Sequence, residues 1–261
     1  MTTGLPFSGP EDTSPRSRLA LVTGGTGGIG TEICKRLAGQ GHRVVATYLA
    51  REREQAEEWQ RQRLVECHSI DLVECDVASF DDCVRMAEEV RTRAGVVEIL
   101  VNCAGITRDR TLAKMEPAQW HAVLDTNLDS AFNVTRQFIE GMAQRGFGRI
   151  VSISSVNGQK GQFGQTNYSA AKAGLFGFSM ALAQEVARKG ITVNTVSPGY
   201  VNTAMVEAVP ADIRQTIIDK VPLGRLGDPR EIAWAVGFLV AEESGYITGA
   251  NLPVNGGLYL G

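Results

Sequence analysis

The chain has 261 residues, a net charge of −3 at pH 7 and 43% hydrophobic residues, a composition that is ordinary for a folded globular protein. The weakly acidic balance argues against a nucleic-acid partner, which would favour a basic face. The five cysteines include no C-x-x-C pair and no histidine at ligand spacing. We therefore expect no metal site and no disulfide framework, and a cytoplasmic location.

The organisation of the chain is predicted from its ends and its apolar runs. No run approaches the ~20 apolar residues that cross a bilayer, so no membrane association is expected. Residues 1–17 contain three prolines and no apolar periodicity, which predicts a mobile N-terminal tail. Residues 18–261 show no linker, and we interpret them as a single domain.

Strand and helix patterns alternate along this domain. The predicted strands are 19–22, 43–48, 70–75, 97–101, 149–153, 192–196 and 250–254. The predicted helices are 31–37, 52–62, 79–93, 117–141, 167–188 and 229–240. This alternation predicts an α/β fold: one doubly wound Rossmann domain with a seven-stranded parallel sheet and helices on both faces.

A glycine-rich turn lies between the first strand and the first helix. Residues 23–30 read Thr-Gly-Gly-Thr-Gly-Gly-Ile-Gly. Gly25, Gly27 and Gly30 fit the spacing G-x-G-x-x-G, whereas Gly24, Gly28 and Gly30 fit T-G-x-x-x-G-x-G. Such a turn lets the backbone approach a pyrophosphate at a helix N-terminus, so it predicts a dinucleotide site. The alternative is a tight turn that binds nothing.

A second motif joins Ser155, Tyr168 and Lys172. The spacing of four between Tyr168 and Lys172 places both side chains on one face of a helix. A neighbouring ammonium stabilises a phenolate, so we expect the pKa of Tyr168 to be lowered and the phenol to act as a general acid. Ser155 would hold the same substrate oxygen. A chance pair on an exposed helix is the alternative.

Together these motifs resemble the short-chain dehydrogenase/reductase family over residues 18–261. The resemblance is carried by residues 23–30, Asp76-Val77, Asn102 to Gly105, Asn127, Ser155, Tyr168, Lys172 and Pro198-Gly199. Residues 155–168 and 105–109 look like the acetoacetyl-CoA reductases of polyhydroxyalkanoate synthesis. The resemblance implies reduction of acetoacetyl-CoA, or another short 3-ketoacyl-CoA, to the (R)-3-hydroxyacyl-CoA with NADPH.

The resemblance also implies four catalytic residues. Tyr168 would protonate the ketone oxygen as hydride arrives from the nicotinamide, and Ser155 would polarise the carbonyl. Lys172 would lower the pKa of the tyrosine and hold the nicotinamide ribose. Asn127 would maintain a water-mediated proton relay to the lysine. An ordinary helix kink or an exposed side chain is the alternative for Asn127, and a solvated loop hydroxyl is the alternative for Ser155.

A set of cofactor-binding residues follows from the same resemblance. They are Gly24, Thr26, Gly28, Ile29, Gly30, Asp76, Val77, Asn102, Ala104, Gly105, Tyr168, Lys172, Pro198, Gly199, Val201 and Thr203. Residues 46–51 at the end of the second strand include no acidic residue, where an NAD site usually carries one, and Arg51 and Arg53 could bind a 2′-phosphate. We therefore predict NADPH; the alternative is that both arginines lie on a solvated helix face.

The expected substrate-binding residues are Asp109, Lys114, Ser155, Gln162, Phe163, Gln165 and Tyr200. The amide of Gln165 can donate to and accept from a 3-keto thioester, and Phe163 would be an apolar wall for a short acyl chain. Lys114 would meet a phosphate of CoA, or else be simply solvated. By resemblance we also expect a homotetramer, with contacts through the helices near 117–141 and 167–188.

Two rival functions stay open from the sequence. A 3-oxoacyl-(acyl-carrier-protein) reductase would use identical chemistry, with Arg108, Arg110 and Lys114 as a basic docking patch. A non-catalytic NADP(H)-binding sensor would keep the fold without turnover. The chain also has Cys103 where the family often has a second asparagine; we interpret it as a small buried apolar residue and not as a nucleophile.

Overall fold

The computed structural model describes residues 17–203, 206 and 211–260. Residues 1–16 of the predicted tail lie outside this range, so the boundary between tail and domain stays a prediction. Within the described part of the chain, no helix is long and apolar enough to span a lipid bilayer.

The described residues form a seven-stranded sheet. Its strands are β1 (Leu19–Val22), β2 (Arg43–Tyr48), β3 (Ile70–Glu74), β4 (Ile99–Asn102), β5 (Gly148–Ile153), β6 (Ile191–Pro198) and β7 (Asn251–Val254). They pair in parallel throughout, in the order β3-β2-β1-β4-β5-β6-β7. The direction of winding changes between β1 and β4, and open α/β sheets bind ligands beyond the strand ends at such a point. The predicted doubly wound Rossmann fold is confirmed.

Helices cover both faces of this sheet. They are α1 (Gly28–Gly39), α2 (Arg53–Val65), α3 (Phe80–Arg93), α4 (Pro117–Leu124), α5 (Ser130–Arg145), α6 (Val156–Lys160), α7 (Thr166–Val186), α8 (Ala211–Ile218) and α9 (Pro229–Leu239). One core packs α3, α5 and α7 against strand residues such as Leu21 and Leu100. The other core packs α1 and α9 against Ala20 and Ile99, which directly precede Leu21 and Leu100 in their strands. Successive strand residues thus face opposite cores, which fixes the register of the sheet.

Local caps start two of the predicted helices where the sequence indicates. Ser79 accepts a hydrogen bond from the backbone N–H of Asp82 at 3.2 Å at the start of α3. Asp228 accepts one from the N–H of Arg230 at 2.8 Å, and Glu231 bonds back to the N–H of Asp228, which completes a capping box before α9. Each cap satisfies N–H groups that a helix leaves unpaired in its first turn.

The predicted helix over 117–141 differs from the structure. It is divided into α4 and α5 by one π-helical turn, Asp125–Asp129, and it continues to Arg145. A π turn adds one residue between hydrogen-bonded partners and is frequent at functional sites. The sequence analysis also missed the short helix α6 and the helix α8.

Candidate active site

The glycine-rich turn connects β1 directly to α1. Gly24 has a φ of +61°, a left-handed conformation that favours glycine. A β-carbon on Gly30 would overlap the carbonyl oxygen of Gly24, so the helix can pack on the turn only with glycine there. Gly27 and Gly28 are exposed at the N-terminus of α1, and the capping residue Gly27 has no side chain to occupy it. The backbone N–H groups of this terminus fit a pyrophosphate.

The end of β4 packs against this turn. The hydroxyl of Thr23 accepts hydrogen bonds from the backbone N–H groups of Cys103 at 3.0 Å and Ala104 at 3.1 Å. A β-carbon on Gly24 would lie 2.9 Å from Cα of Ala104. Thr23 therefore fixes the spacing of two segments predicted to bind cofactor, a role that the sequence analysis did not assign to it.

Asn102 is buried below the same edge. Its Nδ2 donates to Thr135 and to Ser152, each at 3.3 Å, which ties β4 to α5 and β5. Its Oδ1 is buried and has no hydrogen-bond partner among the described residues. A buried acceptor of this kind favours a donor from a bound group, as expected of a residue that lines a cofactor.

The remaining predicted cofactor residues lie in the glycine turn and at or after the carboxyl ends of β3 and β6. Thr203 approaches the turn, since a β-carbon on Gly28 would lie 3.0 Å from its Cγ2. Gly199 packs on the backbone of Asn255, where a β-carbon would lie 2.8 Å from Cα. The other positions are Thr26 and Ile29 in the turn, the exposed Asp76 and buried Val77 after β3, Pro198 at the end of β6, and the buried Val201.

The two arginines after β2 differ in what they contact. The Arg53 guanidinium lies 2.6 Å from the Glu74 carboxylate at the end of β3, and this hydrogen bond raises the pKa of Arg53. The Arg51 side chain is 76% exposed, and its ion pair with Glu52 is long, at 3.8 Å. Arg51 is therefore the freer of the two to bind an added anion.

Ser155, Tyr168 and Lys172 meet at the ends of β5 and α7. Ser155 follows β5 and caps α6, where its Oγ accepts the N–H of Asn157 at 3.1 Å. Tyr168 lies in the first turn of α7, with its phenol close enough to the Ser155 hydroxyl for that group to influence its pKa. Lys172 lies one turn later, with its ammonium 5.7 Å from the centre of the tyrosine ring. The structure thus brings together the three residues that the sequence singled out.

The electrostatics of this group correct one expectation. Burial raises the pKa of Tyr168 above its ordinary value; the nearby Ser155 hydroxyl opposes this rise in pKa, and the Asp109 charge adds to it. The predicted lowering of this pKa by Lys172 is wrong in direction for the protein by itself, because helical spacing does not reveal how deeply the phenol is buried. Burial also lowers the pKa of Lys172 to about 8.

Lys172 is held as a buried cation. Its side chain is 4% exposed, and its Nζ donates to the carbonyl oxygen of Ile153 at 2.7 Å. The backbone beside it is fixed as well, since Ser154 donates from its hydroxyl to the Lys172 carbonyl at 2.8 Å. A buried ammonium is costly, so its retention points to a functional use.

Asn127 lies within the π-helical turn. Its Oδ1 accepts the N–H of Ile106 at 2.9 Å and its Nδ2 donates to the Ile106 carbonyl at 2.8 Å. Both bonds hold the segment that leaves β4. The interpretation of Asn127 as a simple kink is therefore incomplete, because its side chain positions a neighbouring loop. Its role in a water relay stays a prediction.

The predicted substrate residues lie on two facing loops. Gln165 donates from Nε2 to the Asp109 carboxylate at 2.8 Å and accepts from Nδ2 of Asn157 at 3.0 Å. The two loops also pair through their backbones, with the Arg110 N–H bonded to the Gly164 carbonyl at 2.9 Å. The sequence analysis missed Asn157, and no motif in the chain marks it.

Four further substrate candidates differ in exposure. Tyr200 is half-buried, and burial followed by the Asp109 charge raises its pKa. The Asp109 charge raises the pKa of both Tyr200 and Tyr168, so its carboxylate lies near both phenols. Phe163 is 87% exposed. Gln162 is exposed and accepts from Lys160, and Lys114 is exposed in a short turn.

Comparisons with known proteins agree with this geometry. A family model described as enoyl-(acyl carrier protein) reductase matches residues 24–259. The chain therefore belongs to the short-chain dehydrogenase/reductase family, whose members are oxidoreductases that use a nicotinamide cofactor.

Curated relatives align with nearly the whole chain. An acetoacetyl-CoA reductase of Allochromatium vinosum is 60% identical over 244 residues, which cover 94% of this chain and 99% of that protein. An acetoacetyl-CoA reductase of Cupriavidus necator is 55% identical with the same coverage. A 3-oxoacyl-(acyl-carrier-protein) reductase of Escherichia coli is 44% identical over 243 residues, which cover 93% of this chain and 98% of that protein.

Proposed function

We propose that this protein reduces acetoacetyl-CoA, or another short 3-ketoacyl-CoA, to the (R)-3-hydroxyacyl-CoA with NADPH. The observation that carries the proposal is the Tyr168 phenol placed beside both Ser155 and the buried ammonium of Lys172, next to the Ala104-Gly105 segment that packs on the glycine turn. The names of the relatives with 60% and 55% identity support the choice of substrate.

When bound, the nicotinamide supplies the hydride, and the chain's own residues manage the proton. Because the pKa of Tyr168 is raised, its phenol is protonated at neutral pH and can donate to a ketone oxygen. The Ser155 Oγ accepts from the Asn157 N–H, which leaves its own hydrogen available for the same oxygen. The Lys172 charge stabilises the phenolate that proton donation leaves behind.

The two facing loops suit a polar thioester. Gln165 is held by Asn157 and Asp109, so its amide enters the reaction already oriented and little rotamer entropy is lost on binding. Phe163 offers an exposed apolar surface close to the same loop. We propose that these residues, with Tyr200, hold the 3-keto acyl group, and that Lys114 meets a phosphate of CoA.

The preference for NADPH is part of this proposal. Residues 46–51 at the end of β2 include no acidic residue, and the exposed guanidinium of Arg51 can form charge-assisted hydrogen bonds with a 2′-phosphate. Arg53 would have to release Glu74 before it could do the same. We therefore assign the 2′-phosphate contact to Arg51 first and to Arg53 second.

A second candidate differs only in the carrier of the substrate. The Escherichia coli relative is named for an acyl-carrier-protein substrate, and Arg108, Arg110 and Lys114 are exposed at the rim of the crevice. An acidic carrier protein would favour such a rim.

One assay separates the two candidates. We expect oxidation of NADPH with acetoacetyl-CoA at a kcat/KM at least tenfold above that with the acetoacetyl carrier protein, and an (R) product on chiral analysis. The reverse order of the two substrates would favour the carrier-protein candidate, and an (S) product would contradict the expected stereochemistry.

We further propose a homotetramer. Phe132 on α5 and Met180 on α7 are 52% and 50% exposed on the predicted contact helices. A second apolar face lies on α9, where Trp234 stacks on Phe238 beside a cavity of about 900 Å³ that reaches the edge strand β7. If each of these two faces pairs with the same face of another copy, the copies form a closed tetramer.

Light scattering tests this proposal. The wild type should contain four chains, and Trp234→Glu should form dimers; a monomeric wild type would contradict the proposal.

A further inference from the structure

Asn167, immediately before Tyr168, is 0% exposed and uses its side-chain amide completely. Its Nδ2 donates to the backbone carbonyls of Arg108 at 3.1 Å and Gln119 at 3.3 Å. Its Oδ1 accepts the backbone N–H of Tyr168 at 2.8 Å. One amide therefore joins the start of α7 to α4 and to the loop after β4.

Each joined segment carries a residue of the candidate site. The loop after β4 presents Asp109 next to Arg108 in the chain, and α4 runs directly into the π-helical turn that contains Asn127. The third segment is the backbone of Tyr168 itself. Asn167 is thus one of the contacts that set the distances between the phenol, the Asp109 carboxylate and the Asn127 amide.

The loop between β4 and α4 is held at successive points by other elements. Asn127 holds Ile106, Asn167 holds Arg108, and Gly164 holds Arg110 through its backbone carbonyl. Of these three residues, Asn167 also bonds to the backbone of Tyr168, the proposed proton donor. Because its amide is fully buried, loss of its donors removes a hydrogen bond from the Arg108 and Gln119 carbonyls that water cannot easily replace.

We propose that Asn167 is a positioning residue that fixes the Tyr168 phenol relative to the Asp109 loop. The inference rests on the proposed function, since it assumes that Tyr168 donates the proton. A misplacement of about 1 Å at a reacting group can slow a reaction by about 10²-fold. The hydrogen bonds of the Asn167 side chain go to Arg108, Gln119 and Tyr168 and not to the glycine turn, so cofactor affinity should be spared.

The variant Asn167→Asp tests this with little change in shape. It keeps the acceptor for the Tyr168 N–H but places an oxygen against the carbonyls of Arg108 and Gln119. At pH 8 we expect kcat, expressed per NADPH-binding site, to fall about tenfold or more, with the Kd of NADPH within threefold of the wild type. Toward pH 6 the ratio of variant to wild type should recover, because a protonated aspartic acid can again donate.

Asn194 provides a matched control. It is also 0% exposed, donates to the Ile247 carbonyl at 2.8 Å and accepts from the Ala250 N–H at 3.0 Å, but it joins β6 to a turn outside the candidate site. Asn194→Asp should leave kcat per site within threefold of the wild type at every pH. An equal loss in both variants, or an Asn167→Asp enzyme with normal kcat, would overturn the proposal.

A measurement without substrate keeps the two proposals apart. A wild type that does not reduce acetoacetyl-CoA would contradict the proposed function. In that case, amide hydrogen exchange in Asn167→Ala still tests whether Asn167 holds the loop after β4, with Asn194→Ala as the control. Exchange across residues 106–110 should be faster only in Asn167→Ala, and unchanged exchange there would overturn the inference.

Discussion

Gly105 and Asn127 lie so close together that a β-carbon on Gly105 would be 2.5 Å from Oδ1 of Asn127. That oxygen accepts the N–H of Ile106. Gly105→Ala must therefore displace the amide and release the start of the loop that carries Asp109. We expect kcat for ketone reduction to fall about tenfold or more, since positioned groups act only within a narrow range of geometry. Steady-state kinetics measures this.

Gly39 provides the control for this substitution. It is exposed at the end of α1, and a β-carbon there would meet no atom within 4 Å. Gly39→Ala should keep full activity and change the free energy of unfolding by no more than about 1 kcal/mol, with a gain expected. Normal kcat in Gly105→Ala would show that the Asn127 amide does not support turnover.

The arginines after β2 should differ in their effect on cofactor choice. Arg51→Ala removes an exposed guanidinium whose ion pair is long, so we expect the KM for NADPH to rise about 10- to 100-fold while the KM for NADH changes little. Arg53→Ala removes a partner of Glu74, and the KM for NADPH should rise less than in Arg51→Ala. The KM values for both cofactors, measured in both variants, check this.

Two results would count against that assignment. If Arg53→Ala had the larger effect on NADPH, the ion pair with Glu74 would have to open on binding. If the wild type used NADH as efficiently as NADPH, neither arginine would select the cofactor.

Lys172 should lower the stability of the protein in the absence of nucleotide. Its pKa of about 8 in the fold is below its ordinary value, so burial of the charged form is unfavourable below pH 8. The penalty decreases as pH rises from about 8 toward the ordinary lysine value, because the folded state then loses its proton before the unfolded chain does. Lys172→Met keeps the length of the side chain and removes the charge.

We expect Lys172→Met to be inactive in ketone reduction yet more stable by about 1–3 kcal/mol at pH 7. The gain should shrink between pH 8 and pH 10. Chemical denaturation of both proteins across this range measures it. A variant less stable than the wild type at pH 7 would mean that the bond from Lys172 to Ile153 outweighs the cost of the buried charge.

The sequence predicted those parts of the molecule that depend on local pattern. Alternating strands and helices gave the sheet, and Ser79 and Asp228 marked the starts of α3 and α9 because a capping side chain acts within its own turn. The glycine turn and the pair of Tyr168 and Lys172 were likewise readable from short spacings. Their meeting in one crevice follows from the parallel order of the strands.

The parts that the sequence did not predict depend on distant partners. Glu74, at the end of β3, pairs with Arg53, which follows the neighbouring strand β2. The burial of the Tyr168 phenol depends on the loops that pack around it. The π-helical turn at Asn127 adds one residue to a helix whose periodicity otherwise looks continuous. Asn167 is next to Tyr168 in the chain but bonds to the distant carbonyl of Arg108, and Asn157 bonds to Gln165; no spacing reveals either contact.

The most direct test of the account is the reduction of acetoacetyl-CoA by wild type and by Tyr168→Phe. The substitution keeps the ring and removes the proton donor that lies beside Ser155 and Lys172. We predict oxidation of NADPH by the wild type, a fall in kcat of at least ~10²-fold in the variant, and a Kd for NADPH within threefold of the wild type. Near-normal kcat in Tyr168→Phe would contradict the central claim.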